Sequence, residues 1–250
     1  MSPLRKSASA GSRAPEFDGF PEAGFRFLRQ LKRHNDRDWF RERKAEYEQN
    51  VEQPMRALVL AVAAECRARG LPLHAKEKNP VMRVYRDIRF SKDKTPFKTH
   101  VAAELRRSFS NSSCMVYIHI SPAESFVAAG IWQPDRPLLQ AWREAIAKDP
   151  ASFEKMHKEL ARGGLEVGKG HSLSSMPRGF QNYADTSFSE WLKLTSFIVH
   201  RKLQPSDCTT PDLANTIVVF ALAAKPMLEF GWRVEQTVKP QQDRTQTAGW

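Results

Sequence analysis

MVYIHISPAESFVAAGIW, residues 115–132, alternates in character on both sides of Ser121-Pro122-Ala123-Glu124. Val116, Ile118 and Ile120 alternate with Met115, Tyr117 and His119. Ser125, Val127, Ala129 and Ile131 then alternate with Phe126, Ala128, Gly130 and Trp132. A period of two marks a strand whose two faces meet different surroundings. Pro122 suits the second position of a type I turn, so the two runs form a hairpin. Closing it sets Ile120 opposite Ser125, His119 opposite Phe126, Ile118 opposite Val127 and Tyr117 opposite Ala128. Register fixes face: one side is apolar and must pack on helices, and the other carries Tyr117, His119, Phe126 and Trp132.

Further alternating runs lie on either side. Val81–Ile88 sets Met82, Val84 and Ile88 against Arg83, Tyr85 and Asp87. His100–Arg106 sets Val101, Ala103 and Leu105 against His100, Glu104 and Arg106. Leu194–Leu203 reads as a fifth strand. In phase, the first four runs share one face bearing Arg83, Tyr85, Asp87, His100, Glu104, Arg106, Tyr117, His119, Phe126 and Trp132. Two readings of it compete. An antiparallel sheet often has one solvated face whose polar residues need no function. Against that, Arg, Tyr, His, Phe and Trp recur in ligand sites more than on plain solvated faces.

Helical spacing surrounds these strands. Three helices are predicted over Phe17–Gly70: one opening at Pro21, one capped by Asn35 or Asp36, and one restarted by Pro54 and closed by Gly70. Trp39, Phe40, Tyr47 and Val51 read as core. Pro137 opens a helix with Trp142 and Ile146, and Asp149 or Pro150 opens another ending at Gly163-Gly164. A last helix covers Pro211–Phe230, with Pro226 kinking or ending it. The expected fold is α+β: an antiparallel sheet of four to five strands with helices packed on one face. One domain is expected over 17–232, between a disordered tail at 1–16 and a polar C-terminal tail at 233–250. The N-terminal tail also reads, less well, as a transit peptide.

The 250 residues carry a formal charge of +11. Between Lys76 and Arg107 stand ten basic residues against four acids, a net of +6. A focused positive field attracts phosphates, carboxylates or nucleic acid, although a basic surface can also be merely solubilising. No apolar run approaches the ~20 residues of a membrane span, so no membrane partner is expected. Cys66, Cys114 and Cys208 stand far apart without ligand spacing, which points to a reducing, cytoplasmic location.

Gly163–Gly170, GGLEVGKG, nearly matches a phosphate-binding loop. It has Gly170 where Ser or Thr should meet the metal, and a helix rather than a strand precedes it. A helix cap and a turn account for the glycines. His100, His119 and Glu124 lack the spacing of a metal set, so no metal ligand and no cofactor is assigned. General acid–base work by His100 or His119 beside Asp87 fits better, because a carboxylate orients and tunes an imidazole. Ser91–Pro96 reads as a turn presenting Lys92 and Lys94 as point charges, while Arg83, Arg86 or Arg89 could grip an anion bidentately. Internal pairing of Arg86 and Arg89 with Asp87, Asp93 or Glu104 is the structural alternative.

Three motifs carry a family resemblance: R-x-Y-R-D-x-R-F-S-K-D-K-x-P-F-K-x-H over 83–100, Y-x-H-x-x-P-x-E-S-F-x-x-A-G-x-W-x-P over 117–134, and Pro177-Arg178-Gly179-Phe180. With them the chain resembles the family known as domain of unknown function 2461, from about Phe17 to Phe230. After the third motif it reads Gln181-Asn182-Tyr183-Ala184, where the family pattern is expected to give an Asp and then His-Pro. The resemblance implies a single cytoplasmic domain and brings no reaction or cofactor with it. Its signature residues fall on the polar sheet face.

The residues therefore predict a small anionic ligand, bearing phosphate or carboxylate, on that face, with acid–base or hydrolytic chemistry. Arg83, Arg89, Lys92, Lys94 and Lys98 would hold the anion. Tyr85, Tyr117 and Trp132 would form walls, and Arg178 is a further ligand-binding candidate. Asp87, His100, His119 and Glu124 are the candidates for proton transfer. The alternative is a nucleic-acid-binding module, with the basic loop on phosphates and Tyr117, Phe126 and Trp132 stacking on bases. A third is a protein-interaction domain whose basic face meets an acidic partner.

Overall fold

The structure, a computed structural model, describes residues 17–109, 112–168 and 172–238. Helices α1 (Glu22–Arg33), α2 (Arg37–Glu42) and α3 (Lys44–Tyr47) lead through a π-turn into α4 (Gln53–Ala68). Strands β1 (His74–Ala75), β2 (Val101–Arg106), β3 (Met115–Ile120) and β4 (Ser125–Ile131) follow. Next come α5 (Arg136–Lys148), α6 (Pro150–Arg162) and α7 (Ser189–Lys193). β5 (Phe197–Leu203), α8 (Pro205–Cys208), α9 (Leu213–Ala223) and α10 (Lys225–Glu235) complete the order. The five strands form one antiparallel sheet in the order β1-β2-β3-β4-β5, so the fold is α+β.

The central hairpin has the register its sequence requires: His119 pairs with Phe126, Ile118 with Val127 and Tyr117 with Ala128. β2 continues the same phase, with Val101, Ala103 and Leu105 opposite Ile120, Ile118 and Val116. The inward side chains of β2, β3 and β4 are buried against α4, α9 and α10. From α5, Trp142 stacks on Phe197 of β5 with ring centroids 4.4 Å apart. Burying such side chains yields about 1.5–3 kcal/mol each, which is why this face selects the helical layer.

Helix ends follow local chemistry. Asp36, Asp135 and Asp149 each accept a backbone N–H from the first turn of α2, α5 and α6. Gly70 closes α4 with φ 77°, and Leu71 N–H donates to Cys66 O. α9 and α10 meet at 57°, and Pro226 stands in the first turn of α10. Among the described residues no single helix is long and apolar enough to cross a membrane.

Four expectations are corrected. Pro54 does not restart a helix; it lies in the first turn of α4, directly after a π-turn at Glu48–Glu52. Gln53 N–H reaches back five residues to Glu48 O, so the widened turn carries the chain into the proline without a break. Val81–Ile88 is not a sheet strand. It touches the sheet through a single bridge, Val81 to Ala103, while β1 takes the edge position. β5 begins at Phe197, because α7 occupies the residues before Leu194. Val234, expected in a frayed tail, is buried in α10, which extends past the boundary expected at 232. Residues 1–16 and 239–250 of the expected tails, and Lys169-Gly170 of the glycine-rich run, lie outside the described residues.

Candidate functional site

The outer face of the sheet carries Glu104 and Arg106 on β2, Tyr117 and His119 on β3, Phe126 on β4, and His200 and Lys202 on β5. These side chains are half-buried or exposed, in contrast to the fully buried inner face. At the end where β2 begins and β3 finishes, four rings pack together. His100 and His119 have centroids 4.1 Å apart, and His119 stacks on Phe126 at 4.7 Å. Tyr117 lies 5.9 Å from Phe126, and its hydroxyl is 3.2 Å from His119 Nδ1. The pairings of His119 with Ala102 and with Phe126 dictate this cluster, since they bring neighbouring strands side by side on one face.

Burial sets the electrostatics. It pulls the His119 pKa down to about 4, aided by His100 and opposed by Glu124. Burial, then the charge of Lys98, lowers His100 as well. Both imidazoles are therefore neutral at pH 7. Burial, then Glu104, raises Tyr117, so its hydroxyl keeps its proton and can donate it to Nδ1 of His119. Lys98 Nζ donates to Arg83 O at 3.1 Å, and burial followed by the Arg83 charge lowers its pKa. Glu124 is ion-paired with Lys202 at 3.0 Å. A groove of about 390 Å³ between α1 and the β3–β4 turn shares Glu124 and Lys202 with this face.

The basic stretch forms an arm at the sheet edge. Lys98 N–H donates to Val84 O, and Arg86 N–H donates to Pro96 O, so 84–86 runs against 96–98. Asn35 holds its base with both ends of one amide: Nδ2 donates to Phe97 O at 2.9 Å, and Phe97 N–H donates to Oδ1 at 3.0 Å. Phe97 stacks on Phe40 of α2 with centroids 4.2 Å apart. Near the tip the Arg86 guanidinium binds Asp93 and the Thr95 side chain, the structural pairing that the sequence left open.

This arm divides the predicted site residues. Arg83 and Lys98 lie together at its root, and the Lys98 charge acts on His100. Asp87 does not join the imidazoles. It pairs with Arg89 at 2.7 Å, and that hydrogen bond holds its carboxyl down at about 2. Lys92 is exposed and Lys94 donates to Ile88 O, both on the outer part of the arm. Tyr85 rests on Phe97 with centroids 5.2 Å apart, outside the histidine cluster. The expected phase of this segment also fails: Val84 is buried while Met82 is 36% exposed, because no ladder enforces alternation. Trp132 follows the last residue of β4 and is 48% exposed. It lies about 20 Å along the strand from Phe126, so it stands apart from the histidine cluster. Arg178 is exposed in the turn before Phe180, among loops packed near α7.

Sequence reasoning passed over Lys202, His200 and Phe90. The first two had a signal, since His200 and Lys202 alternate with Val199 and Leu203 and fall opposite Ala128 and Phe126. Phe90 had none, because an aromatic in a loop can be buried or bare. Among the described residues no group of three His, Cys, Asp or Glu side chains is placed to hold a metal ion. Neither the curated proteins nor the solved structures contain a match to the chain. A family model does match over residues 23–230, a span that takes in the whole sheet, the arm and the helical layer as far as the middle of α10, and the chain belongs to that family, described as conserved hypothetical protein (DUF2461).

Proposed function

We propose that the end of the polar sheet face bearing the histidine cluster binds a small anionic ligand, through a phosphate or carboxylate group, and exchanges a proton with it. One observation carries this reading. Arg83 and Lys98 stand close enough to repel, neither is ion-paired among the described residues, and Lys98 acts on His100 of the neutral imidazole pair. An anion there relieves the repulsion and favours the protonated imidazole. Glu124, rather than Asp87, is the carboxylate that acts on His119. Acid–base or hydrolytic chemistry would then use His119 with Tyr117 and Glu124. The three cysteines are unpaired, buried thiols, which supports a cytoplasmic setting.

Isothermal titration with inorganic phosphate and a panel of phosphorylated and carboxylated metabolites tests the reading. Run at pH 6 in two buffers of different ionisation enthalpy, it should report proton uptake on binding. Arg83→Ala and Lys98→Ala should each weaken binding by about tenfold, the size of one charge-assisted hydrogen bond. His119→Gln should lower the proton uptake. Equal affinity of both cation variants and the parent for every hit would overturn the assignment.

A further inference from the structure

The arm ends in a feature that the histidine cluster does not use. Phe90 is 96% exposed at its tip. Single exposed apolar residues are common and need no function. This one differs in how it is presented. The arm is fixed at its base by the Asn35 amide and the Phe97–Phe40 stack, and near its tip by Arg86 bound to Asp93 and Thr95. The ring therefore stands on a braced stalk. The Arg89 guanidinium lies 5.9 Å from its centroid. Asp87 and Asp93 are already paired with Arg89 and Arg86, so Lys92 and Lys94 supply the unmatched positive charge of the tip.

A bare aromatic face among cations fits a partner that offers planar rings and negative charges at close intervals. Single-stranded nucleic acid does so: its bases have open faces, and every nucleotide carries a phosphate. A duplex hides those faces in its stack. A bilayer needs more apolar anchorage than one ring, since even a myristoyl chain binds only marginally. We propose that the arm tip binds single-stranded RNA or DNA, with Phe90 stacking on a base, Arg89 bracing the ring, and Lys92 and Lys94 contacting phosphates. The inference is independent of the small-ligand site at the root of the arm.

Fluorescence anisotropy of labelled fifteen-nucleotide oligo(U) and oligo(dT), titrated with the full chain from 50 to 300 mM salt, tests it. The parent should bind with an affinity that falls linearly in log–log form. Phe90→Ala should weaken binding about tenfold at fixed salt, within the range for loss of one base–aromatic stack, and Phe90→Trp should restore it. Lys92→Gln with Lys94→Gln should lower the salt slope by about 1.4, the contribution of two phosphate contacts on a single strand. All these side chains are exposed, so thermal unfolding should match the parent and confirm folding. Absence of binding to either oligonucleotide at 50 mM salt would overturn the proposal, as would parental affinity in Phe90→Ala. Binding to phosphatidylserine vesicles that Phe90→Ala abolishes, without oligonucleotide binding, would assign the tip to a lipid surface and overturn it too.

Discussion

His119 is a base kept uncharged by its place on the sheet, and that has a thermodynamic sign. Its pKa is about 4 in the folded chain, against about 6.5 for a free imidazole. Between those values the unfolded chain binds a proton that the folded chain refuses. Stability from this group is therefore complete above pH 6.5 and is lost as pH falls towards 4, with a slope of at most about 1.4 kcal/mol per pH unit for one proton. His100, lowered in the same direction, adds to the loss as pH falls below its ordinary value. The carboxylate of Asp87 belongs to a lower one, between its ordinary value and about 2. Urea unfolding at pH 7, 6 and 5 should show the decline in the parent and a visibly flatter profile in His119→Gln. An unchanged profile would mean that the imidazole is not shielded as described. At this scale the sequence placed His100 and His119 together, as the structure does, but set Asp87 beside them, where the structure pairs it with Arg89. Face membership follows from a ladder, which β3 and β4 possess. Asp87 lies outside any ladder, and a guanidinium two residues away captured it.

Elements show the same division between what repetition encodes and what a single contact decides. The hairpin register was legible because each of its strands repeats the apolar–polar alternation several times and a proline turn fixes the loop. The arm was not legible as a separate object, since its shape depends on the Arg86 side chain near the tip and the Asn35 amide at the base. Neither contact leaves a periodic trace. The helical run through Glu48–Ala68 was misread for a related reason. Pro54 has no N–H for Asn50 O, and the freed carbonyl region lies against α1 at Gly24, where an added Cβ would stand 2.2 Å from Asn50 O and 2.7 Å from the Phe20 ring. The close approach of α1 to the π-turn therefore requires the glycine. Gly24→Ala must push two backbones apart and should cost about 2 kcal/mol or more, in the range for overpacked cores, with a matching fall in the denaturant midpoint. A variant as stable as the parent would show that α1 can shift without loss.

The whole molecule is closed by a contact between α10 and the start of the central hairpin, a link that no local pattern announces. Glu235, in a segment whose composition reads as tail, projects from α10 to the backbone that opens β3. Its Oε1 accepts from Ser113 N–H at 2.7 Å and from Cys114 N–H at 2.5 Å, and its Oε2 accepts from Ser112 Oγ at 3.1 Å. Trp232 adds an indole N–H to Cys114 O at 3.2 Å. The partners lie more than a hundred residues apart in the chain, so the sequence carries no spacing from which to infer them. Burial raises the Glu235 carboxyl despite these hydrogen bonds, which means that the oxygen matters here and the charge is a burden. The two substitutions at this position should therefore separate. Glu235→Ala leaves the buried Cys114 N–H without a partner and should cost about 2 kcal/mol, lowering the melting temperature by about 4–8 °C. Glu235→Gln keeps one acceptor oxygen for both amides and should unfold close to the parent. Calorimetry of the pair decides the matter: equal losses would make the charge the essential element, and no loss in either would mean that α10 is held by its apolar face alone.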